Sequence, residues 1–209
     1  VFGSKQTITL TGGQLQLSAS GFSGSVAGDN GVGSGGIAAY RQTGGAANVG
    51  DLVVSANGVG GGNLRASAGG SGFGGTATID LLGGTLDATT ISAEAVGAGG
   101  VGQIGSDSDP ANPVDGQNGG FGQGGTATIN LNGNAVVTTT TLSALASGIG
   151  GDGGDFISAA GVVGNAGNGG NGQGGTAAIN LTAGTLTSGD ITADAGGFGI
   201  DHDCGSDMA

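Results

Sequence analysis

The chain has 209 residues, of which 55 are glycine and two are proline, and its 15 acidic residues stand against three basic ones. A net charge of −12 leaves no basic patch for a nucleic acid or an anionic membrane, so neither nucleic-acid binding nor membrane insertion is expected. Collagen is excluded because the glycines have no three-residue period. Disorder is excluded because the apolar residues, 36% of the chain, fall in short alternating runs. With one cysteine, Cys204, the chain cannot form an internal disulfide.

A run of ten residues is written three times, each copy 50 residues after the one before. It reads GFGGTATIDL at 72–81, GQGGTATINL at 122–131 and GQGGTAAINL at 172–181. Each run begins a longer repeat unit, and two weaker copies of this unit lie upstream, at 6–21 and 33–58. The repeats divide a single predicted domain, 1–197, into units near 6–32, 33–71, 72–121, 122–171 and 172–197, and an acidic tail follows at 198–209.

Each unit predicts three short strands. In the first strand, Ala77, Ile79 and Leu81 alternate with polar residues, and this two-residue period is typical of a strand with one buried face. A turn rich in glycine and asparagine follows, and then a second and a third strand. The residues aligned with Ile79 in the other units are Ile8, Tyr40, Ile129 and Ile179. The inward residues of the second strand are predicted to be Leu15, Leu86, Val136 and Leu186, and those of the third strand include Leu52, Ile91, Leu142 and Ile191.

Nearly all of the variation in unit length falls in the glycine-rich segments, for example 98–125. A constant strand region with a variable insert predicts one coil of a solenoid and a surface loop. No stretch has helical periodicity or helix caps. We therefore predict an all-β fold, a parallel β-helix (β-solenoid) of about five coils with glycine-rich loop insertions, stacked at about 4.8 Å. The alternative, a β-sandwich of hairpins, predicts antiparallel partners that are adjacent in sequence.

Units of the form GGTATINL, a short turn, an Ile-x-Ala-x-Ala strand and a glycine-rich loop resemble the repeats of large bacterial surface proteins. These are the β-helical passengers of autotransporters and the filamentous-haemagglutinin-like adhesins. The resemblance covers most of residues 6–197. It implies a right-handed parallel β-helix that is exported from a Gram-negative cell and serves there as a stalk, a fibre or an adhesive surface.

The sequence does not predict an enzyme. β-Helices that cut polysaccharides cluster carboxylates with arginine or lysine in a groove, whereas the repeats hold only Arg41 and Arg65. Arg41 takes the place of Asp80 in an outward row, where a solvated face is the simpler interpretation. The one histidine, His202, lies in the tail, so a Ser-His-Asp triad is not expected.

Two acidic segments are candidate calcium sites. GGDGGDFIS at 150–158 fits the calcium-binding nonapeptide, with Asp155 as its carboxylate and Asp152 beside it. Such sites need consecutive copies, and a chance match in a glycine-rich background is the alternative. The segment 106–116 offers further oxygen ligands, against the alternative of a solvated acidic loop. These ligands are Asp107, Asp109 and Asp115. The tail holds Asp201, His202, Asp203 and Cys204, metal-ligand types on what we interpret as a loose terminus.

Two classes of function remain open. The first is a structural protein of the bacterial exterior or cell surface, an adhesin stalk or a fibre subunit. The second is a ligand-binding solenoid that binds calcium, glycan or ice through its loops or its outward threonine rows, such as Thr76, Thr126 and Thr176. Asp80 and its equivalents interrupt those rows. With six Phe, one Tyr and no Trp, the chain also has few rings to stack on sugars.

The ends of the predicted solenoid point to its partners. Natural arrays cover their two open ends with a capping element, but no amphipathic helix precedes QTITL at 6–10 or follows ITADAGG at 191–197. Two explanations are open. Either the chain is cut from a longer helix, or copies stack end to end into a homo-oligomer or filament. Surface glycans or other cells are the further partners expected of an adhesin.

Overall fold

A computed structural model gives the fold, and the structure describes residues 8–9, 13–23, 31–62, 68–106, 114–157 and 164–200. Every regular element in these ranges is a β-strand, and they contain no helix that could cross a membrane. The strands are β1 (Ile8–Thr9), β2 (Gln14–Ser18), β3 (Gly21–Phe22), β4 (Gly33–Ser34), β5 (Ile37–Gln42), β6 (Ala46–Ser55), β7 (Gly58–Val59), β8 (Gly72–Phe73), β9 (Thr76–Glu94), β10 (Gly97–Ala98), β11 (Gly105–Ser106), β12 (Gly122–Gln123), β13 (Thr126–Leu145), β14 (Gly148–Ile149), β15 (Phe156–Ile157), β16 (Gly172–Gln173), β17 (Thr176–Leu181), β18 (Thr185–Asp194) and β19 (Gly197–Phe198).

The described strands form four sheets. The largest joins eight strands in the order β1–β6–β9–β13–β17, with β2 on β6, β5 on β9 and β18 on β13. A five-stranded sheet runs β3–β7–β10–β14–β19, a four-stranded sheet runs β4–β8–β12–β16, and β11 pairs with β15. All of these strand pairs are parallel. The prediction of an all-β fold with parallel strands in stacked sheets is confirmed, and a sandwich of hairpins is excluded.

Equivalent residues of successive units lie side by side. Ile79 pairs with Ile129, and Ile129 pairs with Ile179. In the third strand, one row passes through β2, β6, β9, β13 and β18, and its members are Leu15, Leu52, Ile91, Leu142 and Ile191. This in-register stacking of strands from different units is compatible with the predicted β-solenoid.

The alignment of the first unit was wrong. Ile8 pairs with Ala47 and not with Tyr40, so it belongs to the second-strand row. Leu15 pairs with Leu52 and therefore lies in the third-strand row. The unit is shortened and its sequence resembles the others weakly, so only the ladder itself fixes these positions.

The predicted inward residue of the fourth unit was also wrong. Val136 is 43% exposed, whereas Val137 is 1% exposed and pairs with Leu86. The extra residue of this unit lies in the turn, where the register shifts between Leu131 and Asn134. Because side chains alternate along a strand, one extra residue in the turn moves the next residue to the inward face.

The predicted turn after the first strand is where the chain needs glycine. The glycines with positive φ in the described ranges all lie there, with φ between 66° and 96°. They are Gly45, Gly84, Gly133 and Gly184. Residues other than glycine rarely adopt this backbone conformation without strain. These four glycines therefore fix the bend between the first and second strand rows.

The core is a narrow column of the inward rows. Ile79, Ile129 and Leu142 are completely buried, as are the small residues Ala93 and Ala144. In the last unit the same rows come to the surface, and Ile191 is 56% exposed. The alanines let facing strands approach closely, while the isoleucines and leucines fill the space between them.

The described glycine-rich segments are ordered, which differs from the predicted surface loops. After the third strand, an outgoing run leaves the core through β7, β10 or β14, and a returning run comes back through β8, β12 or β16. The two runs are joined by backbone hydrogen bonds of 2.8–2.9 Å that pass from Gly70 through Gly100 and Gly120 to Gly151. We call this pair of facing runs the glycine layer.

Glycine is required in this layer because the two runs touch backbone to backbone. A methyl group on Gly72 would overlap the carbonyl oxygen of Ala98, and one on Gly122 would overlap that of Ile149. At these positions the layer therefore has no room for a side chain. Its intervening residues, such as Val59 and Gln123, point outwards.

Candidate functional site

The proposed nonapeptide lies in the outgoing run of the fourth unit, and its two carboxylates are exposed. The backbone carbonyls of Asp152 and Asp155 accept hydrogen bonds from the N–H groups of Gly102, at 2.8 Å, and Gly105, at 2.6 Å. Gly97 pairs with Gly148 and Gly105 with Phe156, an offset of 51 residues at both ends of the run. The same offset places Asp152 beside Val101 and Asp155 beside Ile104.

Of the other proposed ligands, Asp115 alone lies in the described ranges. Asp115 is exposed, and its Oδ1 accepts the backbone N–H of Asn165 at 2.9 Å. Asp107, Asp109 and the tail residues 201–204 lie outside the described ranges. Within those ranges, no group of three or more His, Cys, Asp or Glu side chains could hold a metal ion. Calcium binding at Asp155 stays a prediction.

The outward row of the first strand is a ladder of polar side chains. Asn130 Nδ2 donates to Asp80 Oδ1 at 2.8 Å, and Asn180 Nδ2 donates to Asn130 Oδ1 at 2.9 Å. Arg41 occupies the same row beside Asp80. Thr76, the residue that begins this strand, is in register with its equivalents, as predicted. The side chains of Asp80, Asn130 and Asn180 thus bond to one another along the stack and give this face a regular order.

A shallow groove runs along the outer face of the second-strand row. Its volume is about 370 Å³, and its polar lining includes Asn48, Thr85, Asp87 and Thr138. Hydroxyl, amide and carboxylate groups could hydrogen-bond a polar ligand there. The lining holds a single carboxylate, no basic residue and no ring, so it lacks the paired acid and base groups of a glycosidase.

A row of apolar residues that was not predicted from the sequence lies on the outer face of the outgoing runs. In the five-stranded sheet, each glycine is followed by an apolar residue, and these residues stack in register. The row consists of Phe22, Val59, Ala98, Ile149 and Phe198. Phe22 is 74% exposed and Phe198 is 53% exposed. The recurrent Gly-apolar pair after every third strand was the signal in the sequence.

The last unit forms a second exposed surface, at one of the two open ends that the sequence analysis considered. In it, Leu181 and Ile191 are more than half exposed, whereas Leu131 and Leu142, one unit earlier, are buried. The end of the stack thus exposes a slice of the core together with the edge of the parallel sheet. Edges of this kind pair readily with another strand.

Comparison with known proteins gives no matching family model, no similar curated protein and no similar solved structure.

Proposed function

We propose that this chain is a structural protein of the bacterial exterior, a right-handed parallel β-solenoid whose units build an adhesin stalk or a fibre. The observation that carries the proposal is the continuity of the rows. Leu52, Ile91 and Leu142 are fully buried by their neighbours in the stack, and Ile191, the next member, is 56% exposed. A further layer on Ile191 would complete the same environment.

The glycine layer supports a mechanical role. Its outgoing and returning runs are held by backbone hydrogen bonds in the second, third and fourth units, and their spacing leaves no room for a side chain at positions such as Gly72 and Gly122. Such a layer adds width and stiffness to a stack without a second hydrophobic core. The right-handed path follows the strong preference of parallel β crossovers for that hand.

The location of the protein on a Gram-negative cell follows from the resemblance to exported adhesin repeats. The acidic surface suits this role, because a net charge of −12 keeps neighbouring stacks apart laterally. Along the strands, charged residues are few, so one stack can approach the end of another.

Sedimentation velocity and light scattering over a dilution series test this function. A fibre subunit is expected to grow with concentration in one dimension, so its frictional ratio rises together with its mass. A particle that stays monomeric and compact at every concentration would contradict the proposal.

A further inference from the structure

One set of backbone hydrogen bonds, at the end of the third strand, runs from each unit to the next. Ala19 N–H donates to Ser55 O, Ala56 to Glu94, Ala95 to Leu145 and Ala146 to Asp194, at 2.7–2.8 Å. Each unit thus donates from this row to the carbonyl of the unit that follows it. Because N–H and C=O groups alternate in a parallel strand, the N–H of Ala195 points out of the last unit.

The two following rows repeat this direction. Gly148 N–H donates to Gly196 O at 3.0 Å, and Gly150 N–H donates to Phe198 O at 2.8 Å. By the same alternation, the N–H groups of Gly197 and Gly199 point out of the last unit. At the opposite end of the described stack, the carbonyls that point away from the second unit belong to Ser18, Ser20 and Phe22. At these positions the last unit presents donors and the first presents acceptors, and carbonyls of the last unit point outwards as well, as at any edge of a parallel sheet.

The side chains of the two ends also match. The last unit exposes Ile191 in the row whose first member is Leu15, and Leu15 is only half-buried. The inner members of this row, such as Ile91, are fully buried. Placing Leu15 of a second copy next to Ile191 would give both residues the neighbours that Ile91 has on its two sides.

Charge favours the same arrangement. Asp190 and Asp194 face outwards on the last unit, in rows that begin with Gln14 and Ser18. Inside the chain, no acidic residue in these two rows stands next to another acid. A second copy would set the Gln14 amide against Asp190 and the Ser18 hydroxyl against Asp194. Two last units facing each other would instead bring four carboxylates together.

We infer that the end of one copy binds the beginning of another by parallel pairing of β18 with β2 and of β19 with β3. In this register Asp190 lies beside Gln14, Thr192 beside Gln16, and Gly197 beside Gly21. The inference rests on the proposed fibre function and specifies how its subunits join. The inference covers only these two strand pairs. The first described residues of the chain, Ile8 and Thr9, already lie in the second-strand row, so the second copy has no described first strand that could pair with β17.

Cysteine cross-linking tests this register. Two variants are made in a Cys204→Ser background, one with Thr192→Cys and the other with Gln16→Cys. Both side chains are exposed, so the fold should persist, and the melting temperature checks this. Parallel neighbours about 4.8 Å apart fall within the range of Cα separations that a disulfide bridges.

The two variants are oxidised separately and as an equal mixture. The mixture is expected to give a covalent dimer joined through positions 16 and 192, in roughly tenfold excess over either variant alone, since separated thiols cannot be bridged. Thr187→Cys in place of Thr192→Cys is the control. It lies on the same strand and is exposed, but about 17 Å away at roughly 3.3 Å per residue, and it should give no such excess.

The outcomes separate this inference from the function on which it rests. Dimers of a single variant, or equal dimer yields with Thr187→Cys, would show a different contact and overturn the register. A mixture that grows by light scattering without the 16–192 disulfide overturns the register and leaves the fibre standing. A mixture that neither grows nor cross-links overturns both.

Discussion

At the scale of single residues, the position of a side chain in its row decides what that side chain does. Ile129 lies between Ile79 and Ile179 and is fully buried. Asn130, the next residue, points outwards and bonds to its own row. Adjacent residues thus have opposite environments. The loss of stability caused by the same substitution at two neighbouring positions therefore shows which of the two side chains points into the core.

Val136 and Val137 offer such a pair. Val137→Asp would place an unpaired carboxylate in the core and is expected to destabilise the fold by about 3 kcal/mol or more. Val136→Asp, at a residue that is 43% exposed, should cost less than about 1 kcal/mol. Thermal or urea unfolding of both variants checks this. Equal effects, or a larger effect at Val136, would show that the register of β13 is wrong.

Tyr40 gives a spectroscopic prediction, because it is the only tyrosine in the chain. Its hydroxyl donates to Gln42 Oε1 at 3.2 Å, and burial raises the pKa of this hydroxyl above its ordinary value of 10. Since the folded-state pKa is raised, the contribution of Tyr40 to stability is complete below pH 10 and is lost as the pH rises through the folded-state pKa.

Absorbance at about 295 nm follows the titration of this side chain alone, with a midpoint expected above pH 10. Tyr40→Phe should remove both the absorbance change and the Tyr40 part of the alkaline loss of stability. A midpoint at or below 10 in the folded protein would mean that Tyr40 is open to water.

At the scale of elements, the molecule combines a strand region that packs through side chains with a glycine layer that packs through backbone. The two regions tolerate different substitutions. The core accepts exchanges among apolar residues of similar size, whereas the facing runs of the glycine layer leave no space for even one added carbon at positions such as Gly72.

Two glycines of this layer make a matched comparison. Gly72→Ala would force the facing runs apart and is expected to cost about 1–3 kcal/mol, as overpacking does elsewhere. Around Gly62, the nearest atoms to an added carbon are 3.6 and 3.9 Å away, an ordinary contact distance, so Gly62→Ala should be neutral. Denaturant unfolding distinguishes them. A tolerated Gly72→Ala would show that the runs do not touch in solution.

The amide ladder of the first strand predicts a cost for a second carboxylate in its row. Asn130→Asp removes the donor to Asp80 and sets two carboxylates side by side, so it should lower stability at pH 7 by about 1–3 kcal/mol. Thr128→Asp is the control, because its row neighbours are Thr78 and Ala178. Urea unfolding of both variants checks this, and an equal loss of stability in both would contradict the ladder.

Much of the strand region was predictable, because the alternation at 76–81 and its return after 50 residues leave few other arrangements. The Val136 position was not predictable, since a one-residue insertion in a turn cannot be placed until the hydrogen bonds show where the register shifts. The order of the glycine runs was also hidden. Contacts between backbones leave no trace in side-chain chemistry beyond the glycine itself.

At the scale of the whole molecule, the surfaces that matter arise only from stacking. The exposed end is made of residues such as Ile191 whose equivalents are buried in the second, third and fourth units, so no local pattern marks them. The predicted calcium ligands, by contrast, were chosen from local motifs. In the structure, Asp152 lies beside Val101 and Asp155 beside Ile104. The carboxylate of Asp115 accepts a hydrogen bond from the backbone N–H of Asn165.

Electron cryo-microscopy of the assembled particle shows whether parallel units stack along one axis and whether the exposed end continues the stack. We expect rods of constant width whose length increases with concentration, with strands perpendicular to the long axis and a layer spacing of about 4.8 Å. Compact particles at every concentration, or fibres whose strands run along the axis, would contradict it.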